Sequence, residues 1–133
     1  DLFAGGIFLS GLPDLVTHMD AAGGREQKST GPLSTKEGFE SRYSISAYYH
    51  IPQNRKLPAM LISHGATDYI LSMHPVARYA AKLQEMQKGE RPVLFLVDWE
   101  SGHSGSQKEL LYMLKFAFWQ TGHPDFQPKQ IVH

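Results

Sequence analysis

Apolar residues gather in three short runs, and each run ends in a small or polar loop. Ala4 to Ser10 is apolar and closes at Gly11 and Pro13, so it reads as a buried strand, with close backbone approach expected at Gly5 and Gly6. Ala59 to Ser63 is opened by Pro58 and closed by Gly65, and Val93 to Trp99 is a continuous Val/Leu/Phe run of the kind that parallel sheets bury on both faces. Between the last two runs Val76, Tyr79, Ala80, Leu83 and Met86 recur at helical spacing, with Pro75 in the first turn and Gly89 as the stop. Ser106 to Glu109 has the pattern of a capping box, and Leu110, Leu111, Leu114, Ala117 and Phe118 predict one apolar face for the helix behind it. Phe116, Phe118 and Trp119 are expected to pack against the sheet, and Tyr48 and Tyr49 to serve in packing. Lys36 to Tyr43 predicts a turn or two of helix, Leu12 to Asp20 a short helix or irregular loop, and Ala21 to Thr35 a loop. Residues 122–133 are expected to be extended.

Strand, helix, strand, helix with short links predicts an α/β fold of parallel strands joined by crossover helices. In such sheets functional groups collect beyond the carboxyl ends of the strands. Asp68 falls just past one predicted strand and His103 just past the next. Acyl transfer needs a hydroxyl nucleophile, a base with a pKa near the working pH, and an acid that holds the base in one tautomer. Asp68 and His103 are the candidates for acid and base, in the order in which an α/β-hydrolase presents the last two members of its triad. Gly65 allows a sharp turn before the acid, and Gly102 and Gly105 give the His room to move.

Composition narrows the alternatives. At 133 residues the chain has room for one core, and its formal net charge of zero carries no electrostatic footprint for nucleic acid or an acidic membrane. No apolar run approaches a membrane span. The absence of cysteine removes disulfides and thiolate metal sites and suits a reducing compartment, so a cytoplasmic location is the expectation. None of the seven His residues forms a His-x-x-x-His pair with a Glu between, so with no Cys present no metal is expected. Gly102 to Ser106 imitates a nucleophile turn around Ser104, yet Ser106 stands where a Gly is wanted and no strand follows to place a further acid and His. Gly23 to Ser29 lacks the glycine positions of a phosphate loop. His64 and His74 flank the Asp68 loop, with structural hydrogen bonding as their expected role and a substrate contact from His64 as the alternative.

Over residues 1 to about 120, and specifically in its second half, the chain resembles the end of the catalytic domain of prolyl oligopeptidase-type serine peptidases. Pro58 to Asp68 is similar to that family's Pro-x-Leu-Leu-x-x-Gly-x-x-Asp, and Ser101-Gly102-His103 to its Gly-His. Tyr43 to Ile51 resembles its Ser-Pro-Tyr-His-Asn segment, and Asp1-Leu2-Phe3 a stretch that follows the nucleophile helix. The resemblance implies the C-terminal part of an α/β-hydrolase fold, with Asp68 as triad acid, His103 as base, and the nucleophilic Ser upstream of Asp1, outside this chain. It implies a peptide substrate and no cofactor. The Arg that follows the triad acid by two residues in prolyl-specific members is absent, since Tyr69-Ile70-Leu71 follows here, and Ser104 replaces the Gly common after the His.

The expected function is therefore peptide-bond hydrolysis by a longer serine peptidase, with this chain inactive by itself. An esterase or acyl-amide hydrolase on the same scaffold, or a non-catalytic interaction fragment, are the other readings. A first strand with an open edge also leads us to expect self-association.

Overall fold

The computed structural model describes residues 3–17 and 30–128. Three strands, β1 (Gly5–Leu9), β2 (Ala59–Gly65) and β3 (Val93–Asp98), form one parallel sheet in that order. Among the described residues, helices α1 (Lys36–Ile45), α2 (Met73–Met86) and α3 (Gln107–Gln120) accompany it, with short 3₁₀ turns at Ala47–Tyr49 and Pro124–Phe126. In the register, Ile7 lies opposite Leu61, Leu61 opposite Leu94, and Gly65 opposite Asp98. That last pair brings the ends of β2 and β3 level, so the loops leaving them start side by side.

The central strand is covered on both faces, as its apolar run predicts. Side chains alternate across a strand, and β2 divides accordingly. Ile62 packs with Val76, Tyr79, Ala80 and Leu83 of α2, whereas Ala59 and Leu61 pack with Phe116 of α3. Gly5 is a tight approach: a Cβ there would lie 3.0 Å from the Ala59 carbonyl oxygen and 3.4 Å from the Phe116 ring. The end of α2 is stitched to the strand lead-in by Gln87, whose amide donates to the Leu57 carbonyl (3.1 Å) and accepts from the Leu57 N–H (2.9 Å).

Several boundaries differ from the sequence expectation. Strand β2 continues through His64 and Gly65, because β3 supplies ladder partners that far. Helix α2 starts at Met73 behind a Ser72 cap and stops at Met86, before Gly89. The largest difference is in α3. Leu110, Leu111, Leu114 and Phe118 are exposed, and Phe116, with Met113 and Trp119 beside it, makes the contact with the sheet. This helix is apolar around most of its girth, so periodicity alone did not select the face that a three-stranded sheet covers. Phe118 instead meets the His123 ring edge-on and the Phe126 ring at a tilt. Residues 122–128 are thus not extended throughout: Pro124–Phe126 turns back onto α3, and the Gln127 amide donates to the Trp119 carbonyl at 3.2 Å. Residues 129–133 lie outside the described residues, as does most of the loop expected from Ala21 to Thr35.

A buried polar cluster anchors the stretch after β1. Asp14 is fully buried and accepts hydrogen bonds from the Val16 N–H (3.0 Å), the Thr17 N–H (3.1 Å), the Thr17 hydroxyl and Arg78 (3.4 Å). Burial alone would raise its pKa, but the Thr17 and Val16 hydrogen bonds and the Arg78 guanidinium together hold it below the ordinary carboxylate range.

Candidate active site

The loops after β2 and β3 are bound to each other before either reaches its functional side chain. The Ala66 N–H donates to the Asp98 carbonyl (2.8 Å), and the Ser101 carbonyl accepts from both the Thr67 N–H (3.1 Å) and the Thr67 hydroxyl (2.9 Å). Gly65 permits this contact. A Cβ at that position would sit 2.4 Å from the carbonyl oxygens of both Ser101 and Gly102. Gly65 ends β2, and in place of the sharp turn expected there it supplies room for the neighbouring backbone.

Each loop is then pinned internally. Asp98, the last residue of β3, accepts from the Glu100 N–H (3.1 Å) and from the Ser106 hydroxyl. Those two hydrogen bonds, with that of the Ser106 hydroxyl first, set the Asp98 carboxyl below its ordinary pKa. Ser106 also caps α3, accepting from the Glu109 N–H at 3.1 Å. The reciprocal half of the predicted capping box is not made: the buried Glu109 carboxylate turns inward to accept from the Ser63 hydroxyl of β2. Gly105, at a φ of +70°, supplies the left-handed residue that closes the loop. His103 lies between these anchors.

Asp68 and His103 meet. The His103 Nδ1 and the Asp68 Oδ2 are 2.9 Å apart, so Nδ1 carries the proton and Nε2 faces away from the acid. The Asp68 side chain is fully buried, and that of His103 is 38% exposed. The other carboxylate oxygen, Oδ1, accepts from the Ile70 N–H (2.8 Å) and the Leu71 N–H (2.9 Å). Burial opposes the charge on Asp68, but the Leu71 N–H, the His103 imidazole and the Ile70 N–H outweigh it and bring the pKa below the ordinary value. An ionised, immobile carboxylate behind a half-exposed imidazole fixes the imidazole tautomer and stabilises its protonated form. That is the arrangement a general base for acyl transfer requires.

The remaining candidates separate from this pair. Ser104 is exposed, and His74 is exposed at the start of α2. His64 is fully buried, with its Nε2 3.1 Å from the Leu71 carbonyl oxygen and 3.6 Å from the Asp68 Oδ2. Among the described residues no group of three or more His, Asp or Glu side chains is placed to hold a metal, and no helix is long and apolar enough to cross a membrane. A groove of about 490 Å³ runs between β3 and α3 past Leu94, Leu96, Tyr112 and Trp119, and neither Asp68 nor His103 lines it. The residues that sequence reasoning missed are Thr67, Asp98 and Glu109. Asp98 and Glu109 stood in the sequence as a strand end and a helix cap, and only the folded chain shows both turned toward the loop junction.

Comparison with known proteins places this geometry in context. A family model described as the prolyl oligopeptidase family matches residues 1–123. Dipeptidyl aminopeptidase BI of Pseudoxanthomonas mexicana is 28% identical, over 70% of this chain and 15% of that protein. Prolyl oligopeptidase dbiP of Dendrothele bispora is 27% identical, over 77% of this chain and 14% of that protein. The chain thus spans about a seventh of the length of these curated relatives. A solved prolyl endopeptidase superposes with a TM-score of 0.79 at 19% identity, over 95% of this chain and 19% of the other. Oligopeptidase B from Leishmania major superposes with a TM-score of 0.73 at 16% identity, over 99% of this chain and 19% of the other.

Two expectations follow from the loop junction. Gly65→Ala forces the β2 and β3 loops apart and costs stability on the order of 1–3 kcal/mol, as overpacking against rigid backbone does. Chemical denaturation reads the loss, and protection of the Ala66 and Thr67 amides from hydrogen exchange falls with it. Acid supplies the second. Asp14 and Asp68 both have lowered pKa values in the folded chain, so their stabilisation is fully present above the unfolded value of about 3.9 and disappears as pH falls through the folded values. Urea midpoints measured downward from pH 5 are expected to drop below pH 4, and Asp68→Asn to flatten part of that drop.

Proposed function

The chain belongs to the prolyl oligopeptidase family, and from that premise we propose that it supplies the acid and the base of a serine peptidase's catalytic triad. Asp68 is the acid and His103 the base. The observation that carries the reading is the 2.9 Å contact between the buried Asp68 carboxylate and the half-exposed His103 imidazole, at the carboxyl ends of adjacent strands. The nucleophilic Ser comes from a segment outside this chain, on the same α/β-hydrolase fold.

In the reaction, His103 Nε2 accepts the Ser hydroxyl proton as the oxygen attacks the peptide carbonyl. The same proton passes to the leaving amine when the C–N bond breaks and the acyl-enzyme forms. Water then attacks the ester, again giving its proton to His103, and the Ser recovers that proton as it leaves. Asp68 stays ionised throughout: it holds the Nδ1–H tautomer before proton transfer and stabilises the imidazolium after it. The substrate class is a peptide, and the chain without the Ser-bearing segment hydrolyses nothing.

We also propose that the isolated chain pairs with a second copy. Among the described residues strands β1 and β3 are the sheet edges, and Ile7 and Leu9 of β1 and Leu110, Leu111 and Leu114 of α3 are large apolar side chains in contact with solvent. Edges and apolar patches of this kind favour association.

In the full-length protein, His103→Ala is expected to lower kcat/KM on peptide substrates by about 10⁴-fold or more. Near-normal turnover by that variant would remove His103 from the mechanism, and a panel preferring simple esters over peptides would change the substrate class. For the isolated chain, light scattering coupled to size exclusion is expected to show a mass above 14.9 kDa that rises with concentration. A monomer at every concentration refutes the pairing.

A further inference from the structure

His64 is a buried titratable side chain to which the mechanism above gives no task. His64, the penultimate residue of β2, has no solvent exposure. Its Nε2 is 3.1 Å from the Leu71 carbonyl oxygen, and a carbonyl only accepts, so Nε2 carries a proton. Its Nδ1 is buried and makes no hydrogen bond among the described residues. An imidazole is a poor choice merely to fill space, because buried polar atoms cost free energy unless they are paired. What the imidazole does make is a hydrogen bond to one particular residue of the Asp68 loop.

Leu71 is held through both of its backbone groups. Its N–H donates to the Asp68 Oδ1 at 2.9 Å, and its C=O accepts from His64. The same His64 Nε2 lies 3.6 Å from the Asp68 Oδ2, the oxygen paired with His103. That is too long for a second full hydrogen bond but close enough for the N–H dipole to favour the anion. His64 therefore acts on both carboxylate oxygens, on Oδ1 through Leu71 and on Oδ2 directly. It reaches them from the rigid central strand, four residues before the acid itself.

We propose that His64 is a positioning residue for the acid–base pair: its Nε2–H locks the Leu71 backbone, and so fixes the Asp68 carboxylate in the rotation that meets His103. This inference rests on the reading of Asp68 and His103 as acid and base. His64 does not touch substrate and transfers no proton.

The test uses isosteres. The amide nitrogen of Gln reaches the place of the His Nε2, whereas that of Asn reaches only the place of Nδ1, which has no partner among the described residues. The readout is the second-order rate at which a fluorophosphonate labels the full-length protein, which reports triad competence without a known substrate. His64→Gln is expected to label within a few-fold of the unsubstituted protein, and His64→Asn and His64→Leu at least tenfold more slowly. Equal rates for His64→Gln and His64→Asn, or a His64→Gln as slow as His64→Leu, overturn the proposal. Asp68→Asn, measured alongside, separates the two levels. If it labels slowly while the Gln and Asn variants are alike, only the positioning role fails. If it labels at the unsubstituted rate, or if the unsubstituted protein is not labelled, the acid–base reading fails and this inference with it.

Discussion

The structure turns on the close contact of two backbone segments, at Gly65 on one side and Ser101 and Gly102 on the other. Parallel strands in register bring the ends of β2 and β3 level, but level strand ends do not by themselves bring loops together. The loops join because the missing side chain at position 65 lets the Ser101 carbonyl reach the Thr67 N–H and hydroxyl. Asp68 is the next residue along one loop, and His103 lies two beyond Ser101 on the other. Their 2.9 Å contact is therefore set by backbone geometry, with little left to side-chain flexibility. Preorganisation of this kind suits the acid–base role proposed for the pair, because it leaves little to reorganise at the moment of reaction.

A buried carboxylate needs compensation, and here it is local. The Ile70 and Leu71 N–H groups bind one oxygen and His103 the other, with the His64 N–H nearby. The loop folds around its own acid and becomes rigid in doing so. Asp98 does the same for the other loop, gathering the Glu100 N–H and the Ser106 hydroxyl, the latter also the cap of α3. Both loops thus use one carboxylate to convert a strand end into a helix start. One of the two carboxylates keeps an oxygen for the His.

The same frame explains the surface of the chain. A sheet of three strands has two faces and two edges, and α2 and α3 cover the middle of each face. Helix α3 carries more apolar side chains than its contact with the sheet can bury, which leaves Leu110, Leu111 and Leu114 exposed. The chain matches only 14–15% of the length of its curated relatives, and a larger domain offers more surface for such side chains to meet.

The runs at β1, β2 and β3, the helical period of α2, and the order of Asp68 before His103 were all legible along the chain. Each depends on interactions between neighbours in sequence or on the burial of a whole segment, and patterns of apolar residues record both. The matching family model and the superposed structures agree with the parallel α/β fold that those patterns imply. The buried face of α3, the return of Pro124–Phe126 onto it, the inward turn of Glu109 and the burial of Asp14 and His64 were not legible. Each is settled by a partner distant in sequence, such as Ser63 for Glu109 or Arg78 for Asp14. By itself the sequence determined which residues are chemically equipped for acid and base and that both follow strands. Only the tertiary structure decided that they touch, because contact depends on the register of β2 against β3 and on the empty space beside Gly65, and no local pattern encodes either.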